Sequence, residues 1–424
     1  MKPYISKELG QISFYLGGFF LVSALPISAL FFLASIFIAF FNKEEIQYNN
    51  KYNYVLLICS LLMISKNIFF NLPINLSDQN IRANMWLDLL NWIPFFLIFI
   101  SFQLYLRNTN QRINFSRFLI AGSIPLFISC ILQSWFKVYG PFETLNGLIV
   151  WFQKPVEQNH FGITGLFNNQ NYTGLWLTAI LPFLIAEIKF TKYKLFIYFL
   201  LFCDVYLLFL TTSKNAFLGF LTIIIMLYGL RSKIFNLISI FCCSCFLFLK
   251  IFNNIDFQKI NFIPFQIYDE IISFNFFNSS RFETIKITSS LISKRPIWGW
   301  GKSLYSNLFI SNGGNYNIEH SHSIPLEIAF NYGIPVSLLL VTFTALLIIK
   351  SWIKINHFKI KDNNDFFNKC WILSLITIAA SHLNDITYYD GKISLLVWIL
   401  LTGSKCIINN YDGDLRFEKK SKID

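Results

Sequence analysis

His320 and His322 stand two residues apart in "EHSHSIPLEIAFNYGIP" (Glu319–Pro335), immediately before a long apolar run. An imidazole can accept a proton from an alcohol near neutral pH, so a histidine placed here is a candidate base toward a hydroxyl. Ser323 reads as an N-cap with Pro325 in the first turn, which leaves His322 just outside the apolar run. For an isolated histidine the plainer reading is a surface residue that touches headgroups. Glu327, one turn inside, is an intramembrane acid and by default a functional-site hypothesis. Its plainer reading is a carboxylate at the interface, still reachable by water.

Two cations could complement such a base. In "SSRFETIKITSSLISKRP", Ser280 and Glu283 form a capping box, and Phe282, Ile285 and Ile292 keep a helical period. Pro296, Gly299 and Gly301 then stop the helix. Arg281 takes the first helical position, where free N–H groups, the helix dipole and the guanidinium fork all suit a phosphate. The competing reading is a solvated arginine paired with Glu283 or Glu319. Lys214 in "LLFLTTSKNAFLG" occupies a tight turn between two apolar runs, either as a functional cation at the headgroup level or as a lysine that snorkels from a helix end. "GITGLFNNQNYTG" supplies amides at Asn168 and Asn171, which suit sugar hydroxyls and plain turns equally. "AASHLNDITYYDGK" places Asp385 near another span end.

The elements that must carry these residues are membrane helices. Of 424 residues, 54% are hydrophobic, 18% aromatic and 14% charged, and the mean hydropathy is +0.51. Soluble domains carry about a quarter charged residues, so the expected fold class is an all-α polytopic membrane protein. The net charge of +12 fits basic cytoplasmic loops rather than nucleic acid. A spanning helix needs about 17–25 apolar residues. Spans are expected near 11–26, 27–41, 53–72, 85–106, 115–136, 172–188, 193–211, 214–230, 233–252, 324–349, 368–386 and 391–407, twelve in all, with a hairpin breaking at Pro26.

With the N-terminus inside, Arg107, Arg112, Arg117, Lys189, Lys192, Lys194, Arg231, Lys233, Lys350 and Lys354 fall on the inner face, as the positive-inside rule asks. The expected organisation is one multi-span membrane domain over 1–424. It has a large, partly helical outer loop at 253–323 between spans 9 and 10, and a polar, disordered inner tail at 408–424. The loop at 137–171 is also outer, and loops this long are usually functional. The eight cysteines sit in or beside apolar runs and read as packing residues. Neither a disulfide, a metal site nor a cofactor is expected, and no nucleotide-binding loop is present in the sequence.

Taken in order, these pieces resemble the O-antigen ligase and O-antigen polymerase superfamily over about 160–350. His322-Ser323 is followed by nine residues and Gly333, a spacing that selects His322 over His320. "SSRFET…KRPIWGWG" is similar to the family's loop helix and puts Arg281 at its arginine. "GLFNNQN" resembles a further family element through Gly165, Phe167, Asn168 and Asn171, with Gln170 where proline is usual. "SKNA" is similar to an S-R-x-A element, with Lys214 replacing the arginine and losing its bidentate fork. Val336 departs from the family's pattern. Asp385 resembles a late acidic position.

The resemblance implies an undecaprenyl-pyrophosphate-linked glycan donor and a glycan or lipid acceptor. It implies inverting, metal-independent transfer at the periplasmic face of a bacterial inner membrane. His322 would deprotonate or orient the acceptor, and Arg281 and Lys214 would steady the departing pyrophosphate. Asn168, Asn171, Glu327 and Asp385 would line the substrate site. A ligase and a polymerase share these elements and stay unseparated here. A small-anion transporter is the reading from another class, and no inverted repeat is visible to favour it.

Overall fold

The computed structural model describes residues 7–42, 50–69, 79–156, 162–229, 280–314, 318–357 and 362–420. The expected span at 233–252 and the inner cations Arg231 and Lys233 lie outside the described residues. The described residues are mainly helical: α1 Lys7–Phe20, α2 Leu25–Phe41, α3 Lys51–Phe69, α4 Gln79–Leu87, α5 Ile93–Ser101 and α6 Thr109–Trp135 come first. Then follow α7 Gln170–Glu187, α8 Lys194–Leu210, α9 Lys214–Tyr228, α10 Ser280–Lys294, α11 Tyr305–Ser311, α12 Ile324–Tyr332, α13 Ile334–His357, α14 Asn363–Ser381 and α15 Gly391–Lys420. The strands are β1 Phe142–Thr144 and β2 Ile149–Trp151, a short antiparallel ribbon in the loop after α6.

Among the described residues, five segments are long and apolar enough to cross a membrane, at 51–69, 82–104, 109–135, 334–356 and 391–412. The outer surface is itself apolar, with Leu61 on α3, Leu33 on α2, and Leu195 and Phe202 on α8 all exposed. Apolar patches this extended mark contact with lipid or another protein. The chain is a multi-pass, all-α membrane protein. α7 is buried along every face from Thr173 to Glu187, as expected of a helix that is hydrophobic all round. Ser374 of α14 donates to the Ala179 carbonyl of α7 at 2.6 Å, and Trp371 donates to Leu400 of α15 at 3.0 Å. These three helices form the interior.

Several expectations are corrected. The first hairpin is present, but its break is at 21–24 and Pro26 falls in the first turn of α2, where a proline costs no hydrogen bond. Ser28 donates to Gly17 at 2.7 Å and Ser35 to Gly10 at 3.2 Å, which fixes the two helices antiparallel. The apolar run at 324–349 is not one helix. It breaks at Gly333, and Ser337 of α13 donates to the Pro325 carbonyl of α12 at 2.7 Å. In a continuous helix those residues would lie about 18 Å apart, so α12 folds back beside α13. Arg112 is no loop cation: it is fully buried and donates to Leu106, Arg107 and Asn368. The tail after 408 is helical as far as Lys420. It is held by hydrogen bonds from Tyr411 to Asp365 and from Lys354 to Asp412.

The candidate site

The motif segments meet at the end of the bundle where α7, α9 and α15 begin and α8 and α14 finish. Glycines make the junctions. A Cβ on Gly162 would overlap the Thr211 carbonyl, and one on Gly174 would come within 2.7 Å of Ala216 Cβ and 3.0 Å of Ser213 Cβ. The stretch that carries Asn168 and Asn171 is thereby pressed onto the turn that carries Lys214. Gln170 accepts a hydrogen bond from the Gly162 amide, a bond that the usual proline there could not supply. Ser213 caps α9, accepting from the Ala216 amide, and leaves Lys214 exposed in the first turn.

A second junction joins the loop helix to the histidine segment. Gly333 has φ +91°, and a Cβ there would overlap the Ile297 carbonyl. The Trp300 amide donates to Phe330 at 2.6 Å, and the Ile334 amide donates to Pro296 at 2.7 Å. The strap at 296–300, a turn followed by two irregular residues, is thus laced to the end of α12. This is the structural reason for a glycine after the nine residues that follow Ser323. α10 packs its buried face through Thr284, Thr288, Leu291 and Ile292, with Thr288 hydrogen-bonded to Tyr305 at 2.6 Å. The expected face through Ile285 is corrected, since Ile285 is exposed: threonines paired to a buried tyrosine can face inward. The helix is described from Ser280 onward.

His322 sits at the apex of a tight strap. Its φ is +56°, a left-handed conformation that is uncommon outside glycine and is found at functional sites. The strap is tied on both sides. Ser321 donates from its amide and its hydroxyl to Glu327 Oε2, at 3.0 and 3.1 Å, and the Ile324 amide donates to His382 at 2.9 Å. Ser323 holds the N-cap position without a side-chain cap bond, because Ser321 and Glu327 organise the helix start instead. The His320 and His322 ring centres are 4.9 Å apart. Burial pushes the His320 imidazole below its ordinary pKa, against the opposing charge of Glu327. The His322 ring is about a third exposed, and its Nδ1 lies 3.9 Å from Asp385 Oδ1, too long for a hydrogen bond and short enough for an ion pair.

Asp385 belongs to the loop beyond α14, which ends at Ser381. Burial alone would raise its carboxyl. The facing His322 ring, the Ile386 amide at 2.8 Å and the Arg281 charge outweigh burial and hold it below the ordinary carboxylate range. Arg281 is exposed, and its charge is felt at both Asp385 and Lys214. The fold therefore gathers His322, Asp385, Arg281 and Lys214 from four separate segments. Asn168 is exposed and Asn171 half-buried, and the residue that caps α7 is Asn169, which accepts from the Asn171 amide at 2.8 Å.

Glu327 does not face open space. It has no solvent exposure; Oε2 holds Ser321, and Oε1 accepts from Asn331 and Tyr389, both at 3.2 Å. Its reach to any ligand is through the strap it holds. Replacement by leucine would strand buried donors, at about 1–3 kcal/mol each. Glu327→Leu is expected to lower the thermal midpoint of the solubilised protein strongly, and Glu327→Gln much less, as read by differential scanning fluorimetry.

Among the described residues, no three His, Cys, Asp or Glu side chains converge as a metal site. An apolar cavity of about 360 Å³ opens beside the strap, between α12, α13, α14 and α15, lined by Ile324, Pro325, Leu340, Ile376 and Trp398 and reaching Leu401. From the start of α15 to Leu401 is about 15 Å along the helix. Sequence reasoning missed Ser321 and Tyr389, whose roles are visible only through Glu327.

In a comparison with curated proteins, none matched the chain. Residues 198–341 match the family model described as O-antigen ligase, a stretch that contains Lys214, Arg281, His322, Glu327 and Gly333, so this part of the chain is similar to that family.

Proposed function

We propose that the protein transfers a glycan from a polyprenyl pyrophosphate carrier to an acceptor hydroxyl, as an O-antigen ligase-like enzyme, at the periplasmic face of a bacterial inner membrane. The observation that carries this reading is the convergence of His322, Asp385, Arg281 and Lys214 at the end of the bundle where an apolar cavity reaches Ile324 and His382. The segment 253–323 then lies on the periplasmic side.

His322 Nδ1 faces Asp385, which leaves Nε2 for the acceptor. The acceptor hydroxyl gives its proton to Nε2 as its oxygen attacks the anomeric carbon from the face opposite the pyrophosphate. The new C–O bond forms while the bond from the anomeric carbon to the phosphate oxygen breaks. The electron pair leaves with the polyprenyl pyrophosphate, and the configuration inverts. Asp385 stabilises the imidazolium and orients the ring, as a carboxylate does beside a catalytic histidine. Arg281 and Lys214 stabilise charge on the departing pyrophosphate, and the apolar cavity receives the start of the lipid chain. Glu327 positions His322 through Ser321, and Asn168 and Asn171 offer amides at the rim.

The test is glycan transfer by the purified protein in lipid nanodiscs, with a polyprenyl-pyrophosphate-linked glycan as donor. Arg281→Ala is expected to slow transfer by about 10²–10³-fold, the usual cost of losing a charge-stabilising donor. Arg281→Lys should recover part of the loss, because it restores charge without the fork. Equal rates for wild type and Arg281→Ala would overturn the assignment. A deletion strain separates ligase from polymerase: long carrier-linked polymer that never reaches its acceptor marks a lost ligase, and single-repeat glycan marks a lost polymerase.

A further inference from the structure

The chain between α6 and α7 exposes apolar side chains that the transfer site does not use. Trp135 and Phe136 at the end of α6 are exposed, as are Phe142, Leu145, Leu148 and Trp151 in the β1–β2 ribbon. The register pairs Phe142 with Trp151 and Thr144 with Ile149, and the residues from Leu145 to Leu148 form the connecting turn. Leu145 takes φ +51°, a left-handed conformation that suits glycine or asparagine better than a leucine. A two-stranded ribbon is marginal in water by itself, so what holds this one matters.

Its base is clamped. The Gly140 amide donates to the Gln153 carbonyl at 2.9 Å, and the Gln153 amide donates to Gly165 at 2.8 Å. The Gln153 side chain accepts from Ser129 of α6 at 2.6 Å and donates to Val138 at 2.7 Å. The Trp151 indole donates to the Ser23 carbonyl, in the turn between α1 and α2, at 2.7 Å. The ribbon is therefore fixed to the ends of α1, α2 and α6. Through Gly165 its depth is tied to the segment that carries Asn168 and Asn171.

The exposed surface continues into the exterior of the spans. On α6, one of the segments long enough to cross a membrane, Ile128, Leu132 and Trp135 are exposed and share one helix face. The Trp135 indole donates to Tyr206 of α8 at 3.0 Å, and the Tyr206 ring stacks on the exposed Phe202. Indoles collect where a bilayer meets water, because one end is apolar and the other is a donor. Trp135 and Trp151 mark that level at this end of the bundle. The exposed Lys137 and Lys154 flank the ribbon, and long cationic side chains reach headgroups from such positions. Glu143, also exposed, stands two residues before Leu145. It limits how far the ribbon can enter, because a carboxylate resists transfer into acyl chains.

We propose that the ribbon is a shallow membrane anchor whose tip, Leu145 and Leu148, inserts among the phospholipid acyl chains of the leaflet at this end of the bundle. The anchoring does not rest on the transferase reading.

The experiment places the photo-crosslinking residue benzoylphenylalanine at position 148 of the full-length protein in phosphatidylethanolamine and phosphatidylglycerol liposomes. Leu148 is 68% exposed, so the larger side chain displaces no core. After illumination, mass spectrometry reads the phospholipid adduct. The same residue at Leu61, exposed on the span α3, is the reference within the bilayer. At Ser289, exposed on the loop helix α10, it is the reference outside. Position 148 is expected to match the yield at Leu61 and to exceed that at Ser289 about tenfold or more, the scale of burying one leucine side chain. A yield nearer that at Ser289 overturns the anchor. An adduct to a second copy of the chain in place of phospholipid also overturns it, making the surface a self-interface. Leu145→Asp in the same chain should cut the adduct at 148 about tenfold and leave the thermal midpoint unchanged. An undiminished adduct would mean collision with nearby lipid rather than insertion, and would overturn the proposal as well.

Discussion

Replacing His322 with alanine is expected to lower the rate of glycan transfer by about 10²–10⁴-fold, the usual contribution of a positioned general base, in a protein that stays folded. The ring is about a third exposed and contributes little to the core. The strap that displays it is tied by Ser321 to Glu327 and by Ile324 to His382, and alanine leaves both ties in place. Asp385 is held below the ordinary carboxylate range and stays anionic throughout neutral pH. Loss of activity on mild acidification is therefore not expected to come from Asp385. His320→Ala is the matched control, since it removes a neighbouring imidazole that lacks the contact with Asp385. The check is the initial rate in nanodiscs with a lipid-linked donor, and a wild-type rate for His322→Ala would remove the base assignment altogether.

The second large effect is expected at Gly333. The left-handed backbone at φ +91° costs a non-glycine residue about 1–3 kcal/mol. The further penalty comes from the Ile297 carbonyl, which a Cβ would overlap and which no side-chain rotation can clear. Gly313 separates the two contributions. Its φ is +93°, and a Cβ there would meet nothing within 4 Å, so Gly313→Ala isolates backbone strain. Gly333→Ala is expected to destabilise the solubilised protein well beyond Gly313→Ala and to open the 296–300 strap to protease. It should also depress transfer, because α10 and its Arg281 lose their anchor to α12. Equal destabilisation by the two substitutions would mean that the lacing of strap to helix contributes nothing.

Both effects rest on residues that the spacing of motifs already singled out, for different reasons. His322 and Gly333 are legible as a pair because they bracket one nine-residue helix, a local relation that sequence preserves. Arg281 is legible because it opens a helix in a loop with recognisable stop residues. Glu327 shows the limit. Its position inside an apolar run marks it as unusual, yet its partners Ser321 and Tyr389 lie six and sixty-two residues away, so that only the fold reveals it as the clamp on the histidine strap.

By itself the sequence determined the all-helical membrane class, the hairpin at the start, most helix positions, and the residue types proposed for work on phosphate and hydroxyl. Those features follow from hydrophobic length and from local turn and capping chemistry, which act over a few residues. Only the tertiary structure decided that the apolar run after His322 is two helices folded back on each other. It alone set His322 against Asp385 and buried Glu327 behind them. The physical reason is that a glycine with positive φ permits a reversal without dictating it. The reversal at Gly333 is held by backbone bonds to the 296–300 strap, and the pairing with Asp385 depends on α14 ending where it does. These are contacts between distant segments, and no periodicity in the chain encodes them.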